Sequence, residues 1–356
     1  MKTIFFSVSI ALFLQLTFSQ EFEITADTMD GKLMYESWCG RCHGDDGRGV
    51  VEGIQLDAPV PDFTDCSFNS REPRKDWMAV IMDGGPARGL AMTMPSWRES
   101  ISDEQAGVII SHIKTFCSET GWPPGELNFR RAQVTLKAFP ENEALMIPSY
   151  TSTQTASAVT RFVYESRVGS SGQWEIALPL ISRFGSSPAG GVGDIEVAGK
   201  YVIFHDLSAM SILSAGLEVG FPTGRRSDGF GSGSVKLAPF VAAAKGFGEA
   251  FVQSSVKFER RLKTGASELF YTIALTLPLT DEKKGLFPTI EVNGISANGN
   301  SGNTILITPQ LYIGLVQRGH IALSLGTQIP VAGTKPFDYR LVGFLLWEYA
   351  DGGLWW

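Results

Sequence analysis

From about residue 157 to the end of the chain, apolar and polar positions alternate with a period of two. Trp174, Ile176, Leu178 and Leu180 fall on one side of one run, with Gln173, Glu175 and Arg183 on the other. Val197, Tyr201 and Ile203 face Glu196 and Lys200; Val252, Val256 and Phe258 face Gln253, Lys257 and Glu259; Leu341, Leu345 and Trp347 share the side of the last run. A period of two describes strands with one apolar and one polar face. The runs last ~9–13 residues with only turns between them, which suits tilted membrane strands better than those of a soluble sandwich. The polar sides carry both signs of charge, as a water-filled lumen requires, and the chain stops on Trp355-Trp356, an aromatic end to the final strand. Short turns at 169–172, 206–211, 245–248 and 317–319 alternate with longer, glycine-rich connections at 185–192, 224–231, 263–267, 297–303 and 331–336. A mid-length turn at 281–285 stands where a short one is expected. The strand at 157–168 runs toward the short-turn end, so an opposite strand must precede it, and Arg130–Phe139 (RRAQVTLKAF) is taken as that strand. The expectation is a closed antiparallel barrel of 12 strands, or 10 if two merge, with both chain ends at the short-turn mouth.

Upstream the period lengthens to that of a helix. Ser102-Asp103-Glu104-Gln105 reads as a capping box for a helix carrying Val108, Ile109, Ile113 and Phe116 on its apolar side. The change falls at Gly121-Trp122-Pro123-Pro124-Gly125, a turn-forming stretch that divides an all-α domain, residues 20–125, from the barrel, 126–356.

Composition agrees with this division. The 356 residues are 44% hydrophobic and only 19% charged, with mean hydropathy +0.04. That excludes a bundle of membrane helices and a wholly disordered chain. Residues 1–19 read as a secretory signal: Lys2, an apolar stretch from Ile4 to Leu16, then Thr17 and Ser19 near the cut. No cysteine stands at the cut after that stretch, so nothing suggests a lipoprotein. Residues 20–125 hold 9 Lys and Arg against 18 Asp and Glu, while the rest of the chain is balanced. An acidic module of that kind disfavours nucleic acid and steers toward basic protein partners.

The string Trp38-Cys39-Gly40-Arg41-Cys42-His43-Gly44 carries the chemistry. In a C-x-x-C-H sequence two thiols one helical turn apart reach the two vinyl groups of a porphyrin and form thioethers, and the adjacent histidine lies under the iron. A redox dithiol or a zinc half-site is the competing reading of C-x-x-C, but the chain has no second such pair. The sixth ligand of the iron comes from Met78, Met82, Met92, Met94 or His112. Met94 is preferred, because Pro95 holds it in an irregular loop ahead of the closing helix; Met92 is its rival, and His112 reads as a packing residue. Cys66 and Cys117, the two cysteines left over in an exported domain, are candidates for a disulfide.

Residues 29–117 resemble a class I monohaem cytochrome c, through CGRCHG, Gly47-Arg48-Gly49, Pro59-Val60-Pro61-Asp62-Phe63-Thr64 and Met94-Pro95-Ser96-Trp97. The resemblance implies one covalent haem c, with His43 and Met94 on the iron. It also implies a backbone carbonyl near Pro61 that accepts the imidazole proton. Gly193-Asp194-Ile195, Gly216–Gly224, ending in Pro222-Thr223-Gly224, and Gly229-Phe230-Gly231-Ser232-Gly233 resemble the outer-membrane family labelled "MetA-pathway of phenol degradation". The combination resembles the cytochrome–porin fusions of iron-oxidising bacteria.

A 12-strand barrel at ~4.8 Å spacing and ~40° tilt has a radius near ~12 Å. A haem domain of ~100 residues, with a radius of gyration near ~13 Å, cannot enter it and must sit at the periplasmic mouth. The leading expectation is electron transfer by a periplasmic cytochrome anchored in outer-membrane lipid by its own barrel. Its partner is a basic periplasmic redox protein or a small redox molecule. A pore for a small aromatic or apolar compound, with the haem domain as gate or docking module, is the alternative. A haem oxidoreductase is the third reading and requires an open iron site; an electron carrier is favoured over a catalyst.

Overall fold

The computed structural model describes residues 30–349 apart from 55, 57, 58, 89, 120, 281–284, 298–301 and 316–320. The expected signal, the terminal Trp355-Trp356 and the turns at 281–284 and 317–319 lie outside the described residues.

The N-terminal domain is built from helices α1 (Gly31–Trp38), α2 (Gly40–His43), α3 (Cys66–Arg71), α4 (Arg74–Asp83) and α5 (Asp103–Thr115). Asp30 caps α1 by accepting from the Lys32 and Leu33 N–H groups. Ser102 and Gln105 close the expected capping box of α5. Helices α1 and α5 cross so closely that a Cβ on Gly31 would lie 2.8 Å from the Val108 carbonyl, a contact only glycine allows. Tyr35, Trp77, Ile81, Met82, Ile109, Ile110 and Ile113 fill the core between the helices. Met82 is thus a core residue, and Met78 packs against the same cluster. Cys66 and Cys117 are joined by a disulfide that spans 51 residues of chain. Replacing both by serine is expected to cost this domain about 4 kcal/mol, the loop-closure value for that span, read as a drop in its denaturant midpoint.

Residues 143–349 form the barrel. Its strands are β1 (Glu143–Ser152), β2 (Ser157–Val168), β3 (Gly172–Arg183), β4 (Ala189–Val192), β5 (Ile195–Asp206), β6 (Ser211–Phe221), β7 (Lys236–Phe247), β8 (Ala250–Arg261), β9 (Ser267–Thr276), β10 (Leu286–Ala297), β11 (Asn303–Gly314), β12 (Ile321–Gly333) and β13 (Tyr339–Glu348). Each pairs antiparallel with its neighbours, and β1 joins β13 through Glu143 opposite Glu348 and Tyr150 opposite Leu341, so the cylinder has no open edge. The short β4 and the long β5 pair with opposite ends of β3 and are two pieces of one strand interrupted at Gly193-Asp194. Counting them together gives twelve, as the alternation requires, and the barrel begins and ends at one mouth. Trp174, Ile176, Leu178, Val197, Leu341 and Leu345 face outward into an apolar band. This is an outer-membrane barrel: its strands pair in a closed ring, and the outward face is dominated by apolar side chains. Inside, the charges pair across strands, Arg161 with Glu196 at 2.7 Å and Lys236 with Glu196 at 2.5 Å and Glu218 at 2.9 Å.

The first strand is where expectation and structure part. Arg130–Phe139 is not a strand; β1 at Glu143–Ser152 takes that place. Residues 130–142 instead lie inside the cylinder, with Ala132, Thr135, Lys137, Ala138, Phe139 and Glu141 buried there. Their alternation reflects side chains reaching opposite walls of the lumen, not the two faces of a ladder.

The glycine-rich stretch after β6 also gains an account. At the break between β4 and β5, the Asp194 carboxylate accepts from the N–H groups of Gly224 (3.0 Å) and Ser232 (2.8 Å), and the Thr223 hydroxyl accepts from the Ile195 N–H (2.9 Å). Phe230 is buried beneath the Arg183 guanidinium, 4.8 Å from its ring. The Pro-Thr-Gly motif therefore folds its loop down onto a neighbouring strand.

Candidate functional site

The site begins at the end of α1. Cys39 ends that helix and starts α2, so Cys39 and Cys42 stand one turn apart, the first half-buried and the second exposed, both as free thiols. Burial, with the neighbouring Cys42 adding to it, pushes the Cys39 thiol up to about 12, so it is not a thiolate at neutral pH. The next residue, His43, closes α2 where Gly44 turns the chain with a φ of 75°. The Tyr35 hydroxyl donates to the Gly44 carbonyl at 2.8 Å, and the His43 carbonyl accepts from Gly49 N–H at 2.9 Å, which fixes the turn.

The His43 ring lies flat on Phe63, with centroids 4.8 Å apart. Burial lowers its pKa to about 4, leaving the neutral imidazole whose lone pair a metal needs. Nδ1 is buried without a hydrogen-bond partner. The bond expected between this ring and a carbonyl near Pro61 is therefore not made in this structure. Pro61 itself is exposed, and the Val60 and Pro61 carbonyls lie against Gly49, in the loop after His43.

Met94 arrives from the other side of the sequence. Its loop is tied to the end of α4: Gly85 N–H donates to the Met94 carbonyl (3.0 Å), Trp97 N–H to the Ile81 carbonyl (3.1 Å), and the Ser96 hydroxyl to the Met82 carbonyl (2.5 Å). Trp97 meets Trp38 edge-on at 5.2 Å, which brings the Met94 loop beside the residue preceding Cys39. Met94 is half-buried, whereas Met92 is 75% exposed and turned to solvent. His112 packs between Tyr35 and Phe116 at 5.3 and 5.0 Å, as a packing residue would. The donor set suits a haem: two free thiols a turn apart, a neutral imidazole with a partnerless buried nitrogen, and a thioether loop fastened alongside.

The domain rests on the barrel mouth where the chain ends meet. Lys75 pairs with Glu249 at 3.4 Å in the β7–β8 turn, the Ser171 hydroxyl donates to the Gly121 carbonyl at 2.6 Å, and the Arg167 guanidinium lies 4.8 Å from the Trp122 ring. Sequence reasoning placed the domain at this mouth from its size but found none of these contacts; single exposed residues in turns carry no periodic signal.

Residues 26–113 match the family described as cytochrome C oxidase, cbb3-type, subunit III. No curated protein matches the chain. Among solved structures, an outer membrane channel from Pseudomonas putida F1 is similar, at 12% identity and a TM-score of 0.47, covering 62% of this chain and 100% of that one. The NanC porin is similar at 10% identity and a TM-score of 0.42, over 58% of this chain and 100% of that one. The KdgM porin in complex with disordered oligogalacturonate is similar at 11% identity and a TM-score of 0.38, over 58% and 99%. The chain is thus a small helical cytochrome c domain, which implies haem, followed by a closed twelve-stranded outer-membrane barrel.

Proposed function

We propose that this protein is an electron carrier of the periplasmic face of the outer membrane. Cys39 and Cys42 would hold one haem by thioethers, and His43 and Met94 would supply the ligands of its iron. When bound, the haem supplies a one-electron couple. The protein's part is to keep that couple in place and in tune. The Tyr35 hydroxyl and the Gly49 N–H fix the His43 turn, the bonds from Gly85 and Trp97 fix the Met94 loop, and a methionine ligand raises the potential relative to a second histidine. Two protein ligands leave no iron position for oxygen or peroxide, which favours a carrier over a haem oxidoreductase. The observation that carries this reading is the contact of Trp38 with Trp97, which joins the thiol–imidazole turn to the methionine loop across 59 residues of chain.

Outer-membrane barrels keep their short turns in the periplasm, so the mouth that carries the cytochrome domain faces that compartment. From there it exchanges electrons with a basic periplasmic redox protein, drawn by the acidic domain, or with a small redox molecule. The haem then lies beneath an apolar band ~25 Å tall and does not bridge the membrane alone.

Reconstitution into sealed vesicles tests this. An impermeant reductant added on the cytochrome side is expected to reduce all of the haem, and the same reductant on the side of the long loops to reduce none. Reduction from the loop side would overturn the assignment to one face and make the protein a transmembrane conductor.

A further inference from the structure

The segment between the two domains crosses the lumen and is gripped from all around it. Glu291 of β10, fully buried, accepts from three consecutive backbone N–H groups, those of Gln133 (2.7 Å), Val134 (3.1 Å) and Thr135 (2.8 Å), and from the Thr135 hydroxyl (2.8 Å). From another side Lys200 of β5 donates its ammonium to the carbonyls of Lys137 (2.8 Å) and Phe139 (2.9 Å), and Ser214 of β6 donates to that of Ala138 (2.6 Å). Gln253 of β8 donates to the Arg130 carbonyl at 2.7 Å. Side chains of β1, β2, β3 and β12 also hydrogen-bond to the segment, so eight of the twelve strands contribute. A linker loose in a water-filled barrel has its peptide groups solvated. Here wall side chains take them one after another, and a carboxylate receiving several N–H donors is among the stronger arrangements available.

The same segment is fixed at its other end. A Cβ on Gly125 would lie 2.0 Å from the Arg71 carbonyl, and Glu126 accepts from the Arg74 N–H at 3.0 Å, so the linker leaves the cytochrome domain locked to α3 and α4. That domain in turn is docked on the mouth by the Lys75–Glu249 pair.

From this we infer that residues 127–142 are a plug that closes the barrel, and that docking of the cytochrome domain holds the plug in. The barrel passes small hydrated ions only when the domain lifts and draws the plug from its seat on Glu291 and Lys200. The inference concerns the barrel alone and stands whichever partner supplies the electrons.

Single-channel recording of the full-length, haem-loaded protein in planar bilayers with potassium chloride provides the test. Unsubstituted protein is expected to stay closed almost throughout. Glu291→Gln and Lys200→Met should each raise open probability at least tenfold, with faster amide exchange confined to residues 127–142. Lys75→Glu should raise it about two- to fivefold, an exposed pair being weak, and adding Glu249→Lys should restore closure. Intact barrels are recognised by their heat-dependent gel mobility. If Glu291→Gln fails to assemble, Lys200→Met carries the same test. Steady conductance in the unsubstituted protein would overturn the inference. So would accelerated exchange of 127–142 with conductance still absent.

Discussion

Full-length protein carrying Cys39→Ser and Cys42→Ser together is expected to emerge from haem-maturing cells without any haem that survives denaturation. The stain for covalent haem on a denaturing gel should fall from strong to blank. The argument rests on placement: the two thiols are free, sit one helical turn apart, and flank the turn that ends in His43. Serine is close to cysteine in volume; Cys42 is exposed, and Cys39 only borders the domain's core, so the fold is expected to survive. The barrel has its own separate cluster around Leu145, Phe287, Tyr312 and Phe344, so its heat-dependent mobility should be unchanged. A variant that still stains would remove the thioethers from the account.

Met94→Ala is expected to abolish the methionine-to-iron charge-transfer band, lower the reduction potential, and open the reduced iron to carbon monoxide. Carbon monoxide binding should rise from negligible to about one per haem. Met92→Ala, its control, should behave as the unsubstituted protein, because Met92 is 75% exposed. Retention of the band in Met94→Ala would release that residue from the iron, and the reading as a haem oxidoreductase would regain its open site.

Much of this was visible in the chain itself because two environments leave strong signatures. The lipid face of the barrel was legible in the even positions from Trp174 to Leu180, which all point outward, and the lumen face in Gln253 and Glu259, which are buried. The capping box at Ser102 and Gln105 was legible because capping is local chemistry. The first strand was misread for a physical reason. Val134, Leu136 and Ala138 alternate with Gln133, Thr135 and Lys137 as a strand would, yet a plug crossing a round lumen also presents successive side chains to opposite walls. The true β1 contains Pro148, which lacks an N–H and weakens the strand pattern, and its pairing with β13 skips Ile147 and Pro148. The seat on Glu291 was out of reach of sequence, because it joins residues more than 150 positions apart through backbone N–H groups that no side-chain pattern reports.

The bond between Cys66 and Cys117 has a mechanical consequence. Cys117 is among the last residues before the chain departs for the barrel. Tension along that exit meets Arg71 and Arg74 first, at Gly125 and Glu126, and whatever passes them is delivered through sulfur to α3 again, not along α5. The domain can therefore tug or be tugged against its anchor without peeling the closing helix, and the seats of His43 and Met94 stay undeformed under load.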